Sequence, residues 1–122
     1  MITKEPAGAT ATEELERTRN ALKDLQRALQ QLYGSRVPAM MIYGSQARKH
    51  ATSSSDIDVL LIYPRSVKPG KEITRLSAIL ADLNLRYQVL VSVLPISKNN
   101  YIRTDSPLLK NIRLEGVTLE SI

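Results

Sequence analysis

The chain has 122 residues, enough for one hydrophobic core and too few for two, so it reads as a single domain. It has no cysteine, which excludes disulfides, thiolate metal sites and a cysteine nucleophile, and its apolar runs fall far short of the roughly 18 residues of a membrane helix. No long apolar block opens the chain as a signal peptide would, so a soluble, cytoplasmic protein is expected.

Seventeen Lys and Arg against 12 Asp and Glu give a formal charge of +5, which favours a polyanionic partner such as nucleotide phosphates but equally suits a solvated surface. The aromatic residues are five tyrosines and nothing else, a poor basis for a row of base-stacking platforms. No recognition motif accompanies the charge, so direct nucleic-acid binding is not expected.

Residues 1–11 mix Pro, Gly, Ala and Thr without an apolar period and predict a mobile tail ahead of one domain over 12–122. Thr12 is a candidate N-cap, and Glu13 and Glu14 suit the positive end of a helix. Leu15, Leu22, Leu25, Leu29 and Leu32 then recur at helical spacing, predicting one amphipathic helix from Thr12 to Tyr33, closed by Gly34. "PAMMIY" and "DIDVLLIY" predict two strands buried on at least one face, with twelve residues, 44–55, between them. A second helix is expected over 71–84, followed by a third strand in "RYQVLVSVLPI". Asp105 or Ser106 can cap a short helix with Leu108, Leu109 and Ile112 on one face, and "VTLE" reads as an edge strand or a loose tail. The order predicts an α/β or α+β domain, a small mixed sheet covered by helices.

The chemistry concentrates in "YGSQARKHATSSSDIDVLLI", residues 43–62. Alternate residues of a strand share a face, so Asp56 and Asp58 point together while Ile57 points away, and the two carboxylates stand roughly 6 to 7 Å apart along the strand. A divalent cation such as Mg²⁺, a hard ion that takes oxygen ligands and keeps waters and phosphates in its shell, can span that spacing. Without a cation the like charges repel, and one aspartate would tend to take a proton. At the other end Gly44 permits close backbone approach, and Ser45 offers a hydroxyl and a backbone N–H to an anion. Arg48 and Lys49 add positive charge, Arg48 with the forked geometry suited to phosphate. Taken singly, Gly-Ser or Asp-x-Asp is a polar turn more often than a site. Separated by ten residues and flanked by strands, they are far more specific.

"GSQARKHATSSSDID" resembles the signature of the nucleotidyltransferase superfamily related to DNA polymerase beta, and the small size is similar to its minimal members, the antitoxin partners of HEPN-domain ribonucleases. The resemblance implies transfer of a nucleoside monophosphate from a nucleoside triphosphate, usually ATP, with Mg²⁺ and release of pyrophosphate. It implies that Gly44, Ser45 and Arg48 hold the triphosphate and that Asp56 and Asp58 are the catalytic metal ligands. It also implies a HEPN-type protein partner, bound as a hetero-oligomer, whose tyrosine is the acceptor.

Active members of that superfamily usually carry a third carboxylate on the strand after the second helix. Here no Asp or Glu lies between Asp82 and Asp105, and the predicted strand offers only Gln88 and Ser92 as polar groups. A second reading therefore stands beside the enzyme: a catalytically impaired nucleotide-binding module that neutralises a partner by complex formation. Among the remaining residues, His50 reads as an exposed loop histidine, since a lone histidine makes no metal cluster. Tyr43 reads as a packing residue, and 98–105 as a polar loop that is mostly solvated.

Overall fold

The computed structural model describes residues 11–44 and 56–121. Its elements in chain order are α1 (Ala11–Tyr33), a 3₁₀ turn (Gly34–Arg36), β1 (Ala39–Tyr43), β2 (Ile57–Tyr63), α2 (Pro69–Tyr87), β3 (Val91–Ser97), α3 (Lys98–Arg103), α4 (Pro107–Glu115) and a closing 3₁₀ turn (Leu119–Ser121). The expected tail falls outside the described residues, except that Ala11 already belongs to α1. Thr12 thus lies inside the first turn and not at the cap.

The sheet order is β1-β2-β3, with β1 antiparallel and β3 parallel to the central β2. A parallel pair needs a crossover, and α2 supplies it. Ile57, Val59, Leu61 and Tyr63 of β2 pack with Leu22, Leu25 and Leu29 of α1 and Leu76 and Leu83 of α2. On the opposite face Leu60 packs with Leu109 and Ile112 of α4. Covered on both sides, β2 reads as the near-continuous apolar run seen in the sequence. Among the described residues no helix is long and apolar enough to cross a membrane.

The leucine stripe of α1 is buried only in its middle. Leu15 and Leu32 are 40% and 42% exposed because the helix overruns the sheet. Twenty-three residues of helix reach about 34 Å, whereas seven residues of strand reach about 23 Å.

Helix α2 and the segment after β3 depart furthest from the sequence expectation. Helix α2 runs on to Tyr87, so Arg86 and Tyr87 are helical and the third strand starts only at Val91. Both side chains turn back to α1, where the Tyr87 hydroxyl donates to Asp24 and the Arg86 guanidinium lies 3.2 Å from the same carboxylate. Gln88 then ends the helix in the left-handed region, at φ 53°. The second difference is α3, formed from the segment expected as a loop. Ser97 caps it by accepting from the Asn100 N–H at 3.1 Å, and Tyr101 packs under α4. Arg113 of α4 donates to the carbonyls of Tyr101 and Thr104 and lies over the Tyr101 ring, so this segment is a brace for the second core. Ser106 is the cap of α4, accepting from the Leu109 N–H, while Leu108 remains exposed. Of "VTLE", Val117 makes one antiparallel bridge to Ile42, and Leu119 is buried in the 3₁₀ turn that follows.

Strand β3 forms the outer edge of the sheet. The Ile57 N–H donates to the Leu90 carbonyl, so the alternating backbone groups of Val91, Val93, Pro95 and Ser97 face outward. The Val91 N–H is taken by the Asn84 side chain at 2.8 Å, and Pro95 has no N–H to offer.

Where β2 ends, three elements are joined by buried polar groups. Tyr33 of α1 donates to Glu72 of α2, which leaves the Tyr63 hydroxyl to donate to the Tyr33 oxygen at 3.0 Å. The two rings meet edge to face at 5.3 Å, and Arg65 and Arg75 lie over their faces. Burial first, and the hydrogen bond to Tyr33 second, push the Tyr63 phenol far above its usual range, and burial followed by Glu72 raises Tyr33. Each phenol holds its proton more tightly folded than unfolded. Their contribution to stability is therefore complete below the unfolded value of about 10 and is lost as pH rises beyond it. Urea melts should show falling stability from pH 9 to pH 11, with a shallower fall in Tyr63→Phe; equal slopes would contradict this origin.

Candidate functional site

The register of the sheet sorts the face under α3 and α4 into three rows across β1, β2 and β3. Ala39, Ile62 and Ile96 form one row and Met41, Leu60 and Leu94 the next, and most of these side chains belong to the second core. The third row, at the end where β2 begins, is Tyr43, Asp58 and Ser92. Apolar side chains thus give way to a polar row one step from the sheet's end, and the alternation of the strand puts Asp58 on the opposite face from buried Ile57.

Gly44 follows Tyr43 with φ +79°, in the left-handed region that side chains disfavour. A Cβ there would stand 2.8 Å from Asp58 Oδ2, so the glycine leaves room for a carboxylate that lies directly against the backbone. Gly44→Ala should cost about 1–2 kcal/mol for the backbone conformation and should also swing the Asp58 carboxylate away. A thermal melt checks the first effect and Mn²⁺ titration the second; an unchanged variant in both would show that the contact has no consequence.

Asp56 sits exposed immediately before β2. Asp56 thus lies outside the strand on which the sequence placed it, yet its charge still reaches Asp58: burial first, and the charge of Asp56 second, raise the pKa of Asp58. Burial, then the charge of Asp58, likewise raises Tyr43, which packs against the second core as the sequence suggested. The structure therefore brings together Gly44, Asp56 and Asp58. Ser45, Arg48, Lys49 and His50 lie outside the described residues.

Of the two polar residues expected on the third strand, only Ser92 is on it. Gln88 is the C-cap of α2, its side-chain oxygen 3.5 Å from Arg17. Ser92 is exposed and sits beside Asp58 in register, which no local signal in the sequence could show. The segment 98–105 begins at the far end of β3 from Ser92 and takes no part in this row. Among the described residues no three His, Cys, Asp or Glu side chains gather as a metal cluster, so the acidic set is a pair.

The pair is chemically suited to a hard divalent cation: two carboxylates with no lysine or arginine bound to either among the described residues, and a cradle beside one of them that a Cβ would fill. The family model of the nucleotidyltransferase domain matches residues 22–118, a span that holds Gly44, Asp56 and Asp58. The chain belongs to the nucleotidyltransferase domain family.

No curated protein sequence matches the chain. Solved nucleotidyltransferase-like structures do match in fold. A protein from Sulfolobus solfataricus named as a nucleotidyltransferase superposes with a TM-score of 0.60 at 16% identity, over 94% of this chain and 87% of its own. A toxin–antitoxin complex with AMP-PNP matches with a TM-score of 0.55 at 15% identity, over 83% of this chain and 71% of its own. A mutant MntA–HpeT toxin–antitoxin complex, in which two aspartates two residues apart are replaced by glutamate, gives 0.53 at 14% identity, over 83% and 70%. At these identities the likeness is one of fold: a mixed three-stranded sheet with four helices among the described residues.

Proposed function

We propose that this nucleotidyltransferase domain transfers a nucleoside monophosphate, AMP from ATP, to a protein acceptor, and that it serves as the antitoxin half of a pair with a HEPN-domain protein in the cytoplasm. The observation that carries the reading is the Asp58 carboxylate seated against Gly44 beside Asp56 at the open end of the sheet. The toxin–antitoxin neighbours, one of them holding AMP-PNP, support the choice of nucleotide and partner.

In this reading Gly44, Ser45 and Arg48 hold the triphosphate, Gly44 by close backbone approach and Arg48 by a forked contact. Asp56 and Asp58 are the ligands of Mg²⁺. When bound, the ion neutralises charge on the phosphate oxygens and steadies attacking and leaving groups in line. The acceptor hydroxyl attacks the α-phosphorus and an O–P bond forms. The bond from that phosphorus to the bridging oxygen breaks, pyrophosphate leaves, and the acceptor's proton passes to water. The chain contributes position and fixed charge and supplies no nucleophile of its own.

Intact-mass measurement of a co-expressed HEPN-domain partner after incubation with MgATP tests the proposal. The wild type should add one AMP and Asp56→Asn none. If no protein gains mass, or if Asp56→Asn acts like the wild type, transfer is wrong. One observation favours the second reading, neutralisation by binding alone: Ser92, beside Asp58, is neutral. That reading predicts that Asp56→Asn and Asp58→Asn still silence the partner.

A further inference from the structure

The polar row has two flanks, and neither is acidic. Asp58 stands between Tyr43 on β1 and Ser92 on β3, with strands roughly 4.8 Å apart. Tyr43 holds a phenol proton, and its ring is committed to the second core. Ser92 is exposed, faces the same side as Asp58 and lies on the edge strand, so nothing in the sheet stands beyond it. Among the described residues no third acidic side chain joins Asp56 and Asp58, so the protein's own carboxylates at this row are these two. A second ion, about 3.5–4 Å from the first in two-metal sites, can share the nucleotide's phosphate oxygens but also needs a protein ligand of its own, and a neutral hydroxyl is a weak ligand for a hard cation.

We infer that this chain anchors a single divalent cation with its nucleotide, and that Ser92 is the position at which the anchor for a second ion is missing. The inference rests on the proposed nucleotide site and adds its metal stoichiometry. It has a constructive form. An aspartate at 92 would place a third carboxylate one strand away from Asp58, on the same face, on the exposed side of the row. Without metal, that charge would repel Asp58 and lower the melting temperature. With metal, it would create the second ligand set.

Mn²⁺ is the probe, titrated by loss of its free electron-paramagnetic signal with saturating non-hydrolysable ATP analogue, corrected for analogue alone. The wild type should bind one Mn²⁺ per chain, Ser92→Asp two, and Ser92→Asn one. Ser92→Asp should also melt below the wild type without metal and recover in Mn²⁺, a change that a merely structural surface residue would not give. Two ions on the wild type, or one ion on a folded Ser92→Asp chain, would overturn the inference and leave the proposed nucleotide site standing. No ion on the wild type, with Asp56→Asn indistinguishable from it, would overturn both.

Discussion

Asp58→Asn should lower nucleotide transfer by about 10³-fold, the size of effect seen when a charge-positioning group is removed from an active site, and should raise the stability of the metal-free protein. The two effects have one origin. Asp58 is held partly buried beside Asp56, and both influences raise its pKa in the folded chain. A carboxyl with a raised folded pKa favours folding below its unfolded value of about 4 and loses that contribution as pH rises through the folded value. At neutral pH the ionised group therefore opposes folding. Its amide isostere removes the repulsion, for a gain of about 0.5–1 kcal/mol, or a few degrees. The gain should vanish on acidification below about pH 4, and Mg²⁺ with nucleotide should stabilise the wild type but not the variant. Differential scanning fluorimetry at pH 3.5 and 7.5, with and without MgATP, reads all of this. A variant less stable than the wild type at pH 7.5 without metal would contradict the account.

The largest stability effect should come from the other end of β2. Tyr63 is fully buried and is the largest of the fully buried side chains. Tyr63→Ala should cost about 3–5 kcal/mol in lost packing and cavity, a large part of the 5–15 kcal/mol that holds such a domain folded. Tyr63→Phe keeps the ring and removes only the hydroxyl that donates to Tyr33, at about 1 kcal/mol. Tyr33 retains its bond to Glu72 in that variant. Urea denaturation at neutral pH separates the two. If the phenylalanine variant lost as much as the alanine one, the polar cluster and not the packing would be holding the three elements together.

The carboxylate pair and the glycine were legible because they are local. The spacing of Gly44, Asp56 and Asp58 is a property of the chain, and the alternation of a strand states which side chains share a face. The helices were legible where their stripes met the sheet, as at Leu22, Leu25 and Leu29, and misleading where the stripe overran it, at Leu15 and Leu32. The end of α2 was missed because Arg86 and Tyr87 are held by Asp24, 62 and 63 positions away. Helix α3 was missed because six residues, mostly polar or basic, carry little periodicity, and the groups that hold it are a serine cap and an arginine from the next helix. The place of Ser92 depended on parallel register, which a crossover helix sets and no turn announces.

The outer edge of β3 bears on how this domain lives among its own copies. With the Val91 N–H occupied and Pro95 unable to donate, the outward donors left are those of Val93 and Ser97, about 13 Å apart by strand rise. That is too sparse to seed a ladder with a neighbouring sheet. Crowded at high concentration, the protein should resist the edge-to-edge growth that turns small open sheets into fibres. Whatever meets the protein along this edge must then recognise side chains, which carry identity, rather than bare backbone, which carries none.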